Sequence, residues 1–385
     1  MGATAPSERI EAIDILRGLA LYGVLVVNLV GSFRTSFLQY IVLREPGLDA
    51  ADRIAELLIR VLLEGKAVTL FSFLFGAGLA IQYERLARRH PAPEALLRRR
   101  MLVLLGFGLA HLLLLWNGDI LAQYALLGLV AIALLGAGEE RLHQWIGTLL
   151  AIGIFLPVLA SAATVWDTAA VRDEAERALV AYATGSFAQV RAYSLGEIVR
   201  YIAIPASLSP QTLAVFLVGV LAWRAGLLRD PGAHAPRLRR LTWIGLVGGG
   251  SLTLFNQVEP QGLALAVLPL TLTFGPLLLA MGYGAGLLLV LRSEALRARL
   301  APIAALGRMA FTNYIAQSIV FGFVFFGYGL GLFGKVGVAD AWLLGTGFYA
   351  LQAAASRWWL ARFRFGPLEW AWRSLTYGER QPMSR

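Results

Sequence analysis

The chain has 385 residues, 58% of them hydrophobic and only 15% charged, against roughly 25% charged in an ordinary soluble domain. That excludes a typical soluble fold and points to lipid as the solvent. The net charge of +10 does not imply nucleic acid, because the arginines fall in short loops between apolar runs. The lack of cysteine removes disulfides, thiolate nucleophiles and Cys-based metal sites together.

The N-terminus, "MGATAPSERIEAIDILRG", carries Glu11, Asp14 and Arg17 where a signal peptide needs an uninterrupted apolar core, so the first apolar segment is expected to stay attached. Pro6 stands where a myristoylation signal needs Ser or Thr. Ten apolar stretches follow, at about 13–33, 66–84, 100–116, 119–137, 144–165, 209–228, 241–257, 262–291, 304–328 and 340–361. Most approach the ~20 residues that cross a hydrocarbon core as a helix, and the alternating pattern of a barrel is absent. The prediction is an all-α, polytopic helical membrane protein of about ten transmembrane helices in one domain, residues 1–385. The eighth stretch exceeds the bilayer and is interrupted by Pro269 and Pro276, which predicts a kink or a partly re-entrant path.

Basic loops at 85–100, 229–240 and 292–299 and the tail from Arg357 alternate so that they fall on one side. By the positive-inside rule that side is the cytoplasm, which makes both termini cytoplasmic and the protein a multi-pass one. The intervening loops, 34–60 and 166–200, mix acids with bases, and 166–200 reads either as an amphipathic helix on the outer surface or as a plain loop. No internal repeat stands out. The tail, 362–385, reads as a cytoplasmic interfacial helix beginning near Pro367, with Glu369 and Arg373 spaced to pair and Trp370, Trp372 and Tyr377 suited to the interface.

Ionisable groups inside spans are expensive, roughly 2.5 to 3.5 kcal/mol each, so each retained one asks for a partner or a task. Toward the cytoplasmic side are Asp14 and Arg17, three apart and able to pair, with Arg308, Asn313 and Gln317 in "GRMAFTNYIAQSIVF". The arginines read as snorkelling anchors or as forks for a phosphate-bearing donor. Toward the outer side are Asn28, Glu64, Lys66, His111, Asn117, Asp119 and Tyr124. In "HLLLLWNGDILAQYALLGL", residues 111–129, His111 falls about 1.5 turns inside the third span and Asp119 opens the fourth. Asp119 is then either a helix cap or the carboxylate that orients an imidazole, and His111 either an interhelical hydrogen-bonding group or a general base. Glu64 and Lys66 flank Gly65 and read as an ion pair or as neighbours of that histidine. His90, His143 and His234 have no ligand spacing, so no metal site is expected. "GLGLFG", 329–334, lacks the strand and helix that a dinucleotide site needs, and "FGAGLA", 75–80, reads as small-residue helix packing.

Five stretches carry a resemblance. "IDILRGLALYGVLVVN" (13–28), Lys66 to Leu79, His111 to Leu129, Gly307 to Gln317 and Gly366 to Thr376, in that order, resemble the YeiB family of bacterial inner-membrane proteins, a domain of unknown function. The Asp-x-x-Arg-Gly opening of the first span is also similar to that of transmembrane acyltransferases such as heparan-alpha-glucosaminide N-acetyltransferase. That similarity maps Asp14, Arg17, Gly18 and Asn28 only; where the acetyltransferase has its histidine after the first such span, this chain has "GSFRTSFLQY". It implies transfer of an acyl group from cytosolic acyl-CoA, a co-substrate rather than a bound cofactor, to a lipid or glycan acceptor at the outer face.

On this reading His111 is the base, oriented by Asp119 or Glu64, while Asp14, Arg17, Asn28, Lys66, Tyr124, Arg308, Asn313 and Gln317 contact donor or substrate. Two alternatives stay open: a transporter or channel for a small solute, lined by the same residues, and a non-catalytic membrane partner in which they are interhelical glue. The partners expected are the bilayer, acyl-CoA and an acceptor, with no nucleic acid; the sequence allows an oligomer.

Overall fold

The computed structural model describes residues 10–42, 48–162, 168–257 and 264–384. The first nine residues, residues 166–167 of the outer loop and residues 262–263 of the eighth stretch, on which some of the expectations above fall, lie outside the described residues. Among the described residues every extended element is a helix, apart from one isolated bridge between Phe363 and Ser384.

Over its described residues, every apolar stretch read from the sequence is mainly helical. The helices that matter for the site are α1 (Glu11–Asn28), α2 (Ala50–Leu62), α3 (Lys66–Ala87), α4 (Pro93–Leu114), α5 (Leu121–Leu134), α6 (Glu139–Ala162), α7 (Thr168–Thr184) and α8 (Phe187–Tyr201). They continue with α9 (Ser209–Arg224), α10 (Ala235–Trp243), α11 (Ala264–Val290), α12 (Ala301–Arg308), α13 (Ala310–Phe325), α14 (Val338–Arg362) and α15 (Pro367–Tyr377). A π-helical turn, Leu29–Phe33, prolongs α1, and another, Ile244–Gly249, joins α10 to a short helix at Gly250–Phe255.

Among the described residues three helices are long and apolar enough to cross a membrane, Glu11–Phe33, Glu139–Leu159 and Val267–Val290; Leu121–Leu134 and Ala310–Phe325 are apolar but shorter. The described part of the eighth stretch is one helix, Ala264–Val290, with both prolines inside it. The ninth is divided instead. At Met309 the backbone leaves helical geometry (φ −110°, ψ 28°), so Arg308 ends one helix rather than lying within a span. The mixed-charge segment 34–60, read from sequence as a loop, contains helices at Phe37–Val42 and Ala50–Leu62. The second, capped by the Asp49 carboxylate on the Asp52 N–H at 2.8 Å, buries Ala55 and Ile59 while Ile54, Leu57, Leu58 and Leu62 stay exposed. Of the two readings of 166–200, the helical one holds for the described residues, as the pair α7 and α8.

Small residues set the packing. α3 lies along α9, and α1 lies against α3 and α12. A side chain at Gly76 would collide with the Phe216 backbone, one at Gly219 with the Phe73 carbonyl, and one at Gly307 with the Asp14 carbonyl, so these pairs close only because the side chains are missing. The bundle's outside is apolar: Phe155 and Leu159 of α6, Trp243, and Leu343 and Leu351 of α14 are each more than 60% exposed. Such a surface is compatible with a lipid solvent and costly in water.

Candidate active site

The site is built where α4, the turn before α5, and α13 meet. α4 ends at Leu114 and the chain turns through Asn117 and Gly118, so that His111 and Asp119, eight residues apart, face each other. The Asp119 carboxylate accepts from His111 Nδ1 at 2.7 Å, and its other oxygen accepts the Ala122 N–H at 2.7 Å, one of the unsatisfied donors at the start of α5. Both sequence readings of Asp119 therefore hold in one residue. The His111 and Asp119 side chains are 1% and 0% exposed. With Nδ1–H committed to Asp119, Nε2 is an acceptor, and Ser318 Oγ of α13 donates to it at 2.8 Å. Sequence reasoning missed Ser318. Nothing local marks it, because a serine hydroxyl is common in apolar helices and its partner lies 207 residues away.

Next to this group opens a cavity of about 180 Å³. Its far wall includes Tyr314 and Ile120; the Tyr314 ring lies 5.2 Å from the His111 ring, and its hydroxyl accepts the Ile120 N–H at 3.4 Å and donates to the Gly118 carbonyl at 3.3 Å. The side walls are apolar, with Leu21, Val24, Phe71, Leu74 and Phe75. At the other end stand Arg17, Arg100 and Arg308. Arg17 pairs with Asp14 at 3.1 Å, as the spacing predicts. Arg100 was not singled out by sequence. Its guanidinium stacks on Trp372 at 3.8 Å, its Nε is buried and finds no hydrogen-bond partner among the described residues, and Arg17 and Arg373 add like charge nearby. Arg100 and His111 lie eleven residues apart on α4, about 16 Å along the axis at 1.5 Å per residue.

The one carboxylate in the cavity lining, Glu369, is already engaged. It accepts the N–H groups of Phe311 (2.8 Å) and Thr312 (3.1 Å) and the Thr312 hydroxyl (2.6 Å), capping the start of α13 from the tail helix. The interfacial tail helix expected from Pro367 is present, ended by Gly378 in the left-handed region, but its inner face is docked on α4 and α13 through Leu368 and Trp372. Burial pushes the Glu369 carboxyl above the usual range, against the pull of its hydrogen bonds.

The remaining sequence candidates, Tyr124 apart, fall elsewhere. Glu64 accepts the Tyr40 hydroxyl at 3.1 Å, and Lys66 donates to the Arg60 carbonyl at 2.7 Å, so each has its own partner. Asn28 ends α1 where the helix widens into its π turn. Tyr124 lines the cavity and shares a 2.6 Å hydrogen bond with Ser72. Asn313 donates to Ser356 at 3.0 Å, and Gln317 to Gln352 at 2.9 Å, which ties α13 to α14. No group of three potential metal ligands occurs among the described residues.

Above the turn, on the side away from the arginines, α7 and α8 carry a second polar cluster. Glu197 accepts from Asn117 at 2.8 Å and from the Tyr182 hydroxyl, and Arg191 donates to the Leu115 carbonyl at 2.5 Å and to Ser194. Burial raises the Glu197 carboxyl above its ordinary range. At the rim, burial pushes the Glu174 carboxyl up, but hydrogen bonds from Tyr193 and Arg177 and the Arg200 charge outweigh it and hold the group below that range.

Comparison with known proteins places this architecture. Residues 222–379 match a family described as "Protein of unknown function (DUF418)". YxaH of Bacillus subtilis strain 168 is 33% identical over 99% of this chain and 98% of its own length. The chain belongs to the YeiB-type family. YeiB of Escherichia coli K12 is 29% identical over 96% of both chains, and a 39.9 kDa protein from the amylase 3' region of Bacillus acidopullulyticus is 28% identical over this whole chain. The match to 222–379 takes in Arg308, Ser318 and Glu369, while His111 and Asp119 lie before it and fall within the full-length relatives.

Proposed function

We propose that this protein spans a bacterial inner membrane about ten times, with both termini cytoplasmic, and transfers an acyl group from cytosolic acyl-CoA to an acceptor at the outer face. One observation carries the reading: three arginines stand at one end of an apolar cavity whose other end is the wall behind which His111 is held by Asp119. Three guanidinium groups at one end of a cavity raise the local positive potential, and a guanidinium fork is well shaped for the oxygens of a phosphate-bearing ligand. Arg17, Arg100 and Arg308 hold the donor's phosphates, the walls of Leu21, Phe71 and Phe75 accept its acyl arm, and His111 Nε2 takes a proton at the reacting end. The basic loops and the apolar outer belt support the topology, which puts the arginines at the cytoplasmic face. Asn313 and Gln317 join helices, as the interhelical-glue reading expects of them.

Calorimetry of acetyl-CoA with the purified, detergent-solubilised protein tests this. Saturable binding, weakened about tenfold or more by Arg17→Ala, Arg100→Ala or Arg308→Ala, is expected from the loss of one charge-assisted contact of about 1.5 to 3 kcal/mol. No binding to well-folded protein, together with solute flux in proteoliposomes lacking an acyl donor, would replace the reading with transport.

A further inference from the structure

Ser318 is a buried hydroxyl whose nearest partner is an imidazole on another helix. A serine or threonine inside a helix ordinarily donates to the carbonyl one turn back. In this chain Thr69, Thr242 and Thr346 do so at 2.6, 2.8 and 2.8 Å. Ser318 stands 3.5 Å from the corresponding Tyr314 carbonyl and 2.8 Å from His111 Nε2, so its proton is directed at the imidazole rather than at its own helix. The imidazole in turn is fixed by Asp119, and the order carboxylate, Nδ1, Nε2, hydroxyl is the one in which a weak nucleophile is activated by an oriented base. A helix contact alone needs neither the carboxylate nor this order of atoms. The three side chains come from three separate elements and are all buried, where each polar group adds a cost.

We propose that Ser318 is the nucleophile that first takes the acyl group, so that transfer runs through a serine ester on this chain. The inference rests on the acyl-CoA reading given above. In the first half, Ser318 Oγ attacks the thioester carbonyl. An O–C bond forms and the C–S bond breaks; the serine proton passes to His111 Nε2, and from there to the departing sulfur, which leaves as the thiol. Asp119 stabilises the imidazolium between those two events. In the second half, an acceptor hydroxyl or amine gives its proton to Nε2 and attacks the ester carbonyl, the Oγ–C bond breaks, and Oγ recovers the proton. No oxidant or other co-reactant is consumed.

The position suits a two-sided reaction. Ser318 lies one helical turn beyond Tyr314, which closes the arginine cavity, and its partner His111 borders Trp116 and the Asn117 turn on the other side. Neither Ser318 nor His111 lines the cavity, so the acyl group reaches Ser318 when Tyr314 swings aside; held there after the thiol has gone, it lets donor and acceptor occupy the protein in turn.

The test treats the full chain in detergent with acetyl-CoA and, separately, with a fluorophosphonate, and locates any adduct by peptide mass spectrometry. Calorimetry of acetyl-CoA and a tryptophan-fluorescence melt accompany each variant. Expected are one acetyl group and one phosphonyl group on Ser318, none in Ser318→Ala, and labelling slowed at least about 10²-fold in His111→Ala. Ser318→Cys keeps the side-chain volume and is expected to carry the acetyl group as a thioester released by neutral hydroxylamine. Acetyl-CoA binding with no adduct at Ser318 from either reagent, or an adduct that persists in Ser318→Ala, overturns the nucleophile and leaves the acyl-CoA reading standing. Labelling of Ser318 by the fluorophosphonate with no acetyl-CoA binding would do the reverse.

Discussion

Asp119 makes two contacts that one substitution separates. Its Oδ1 takes the Ala122 N–H at 2.7 Å and its Oδ2 takes His111 Nδ1 at 2.7 Å. Asp119→Asn keeps an oxygen for Ala122, so the helix start retains a contact worth about 1 kcal/mol. Toward His111 it presents an amide donor, and Nδ1 must then accept, which moves the imidazole proton to Nε2 and leaves no base for Ser318. A charge-assisted hydrogen bond of about 1.5 to 3 kcal/mol is exchanged for a neutral one of about 1 kcal/mol, so stability falls by only about 0.5 to 2 kcal/mol. The rate of Ser318 acetylation should instead fall by about 10² to 10⁴, the range of a general base and of its orienting carboxylate. That corresponds to about 3 to 5 kcal/mol in the barrier. The assay is the initial rate of acetyl incorporation from acetyl-CoA beside a melt followed by the chain's own tryptophans, of which there are 10. Asp119→Ala loses both contacts and should be slow and clearly less stable. If Asp119→Asn acetylates within about threefold of the unaltered chain while Asp119→Ala melts early, the carboxylate is a helix cap and the catalytic assignment is wrong.

Glu369→Gln can still accept the N–H groups of Phe311 and Thr312 and should change stability by less than about 1 kcal/mol, whereas Glu369→Ala strands them and should cost about 3 kcal/mol, read as the difference in melting temperature between the two variants. Glu197 and Glu174 predict opposite pH responses in the α7–α8 pair. The raised Glu197 contributes stability that is fully present below its unfolded pKa and is lost as pH rises through its folded value; the lowered Glu174 contributes stability present above its unfolded pKa and lost as pH falls through its folded value. Protection of α7 and α8 from hydrogen exchange, corrected for the intrinsic pH dependence, should lose its fall with rising pH in Glu197→Gln and its fall with falling pH in Glu174→Gln. Gly76→Ala would drive a methyl group into the Phe216 backbone and should cost about 1 to 3 kcal/mol by forcing α3 away from α9, measured by the same melt. Gly78→Ala, two residues on and facing open space, should cost nothing comparable.

Much of this molecule is written in one dimension. Apolar runs placed helices over the described part of each of the ten expected stretches, because a long apolar segment satisfies its backbone polar groups most simply within its own helix. Local spacing also gave the Asp14–Arg17 pair, three residues apart, and the approach of His111 to Asp119, which a single turn forces. Short or amphipathic helices such as Ala50–Leu62 were lost among mixed charges, and the break at Met309 left no apolar gap to read. What tertiary structure alone decided is which helix faces which. Ser318 reaches His111 across 207 residues, Arg100 joins Arg17 and Arg308 in lining one cavity, and Glu369 folds back to the start of α13. In an apolar chain those choices depend on where backbones can approach closely, at Gly76, Gly219 and Gly307. Complementarity between two distant surfaces is not periodic in either one, so no reading along the chain contains it.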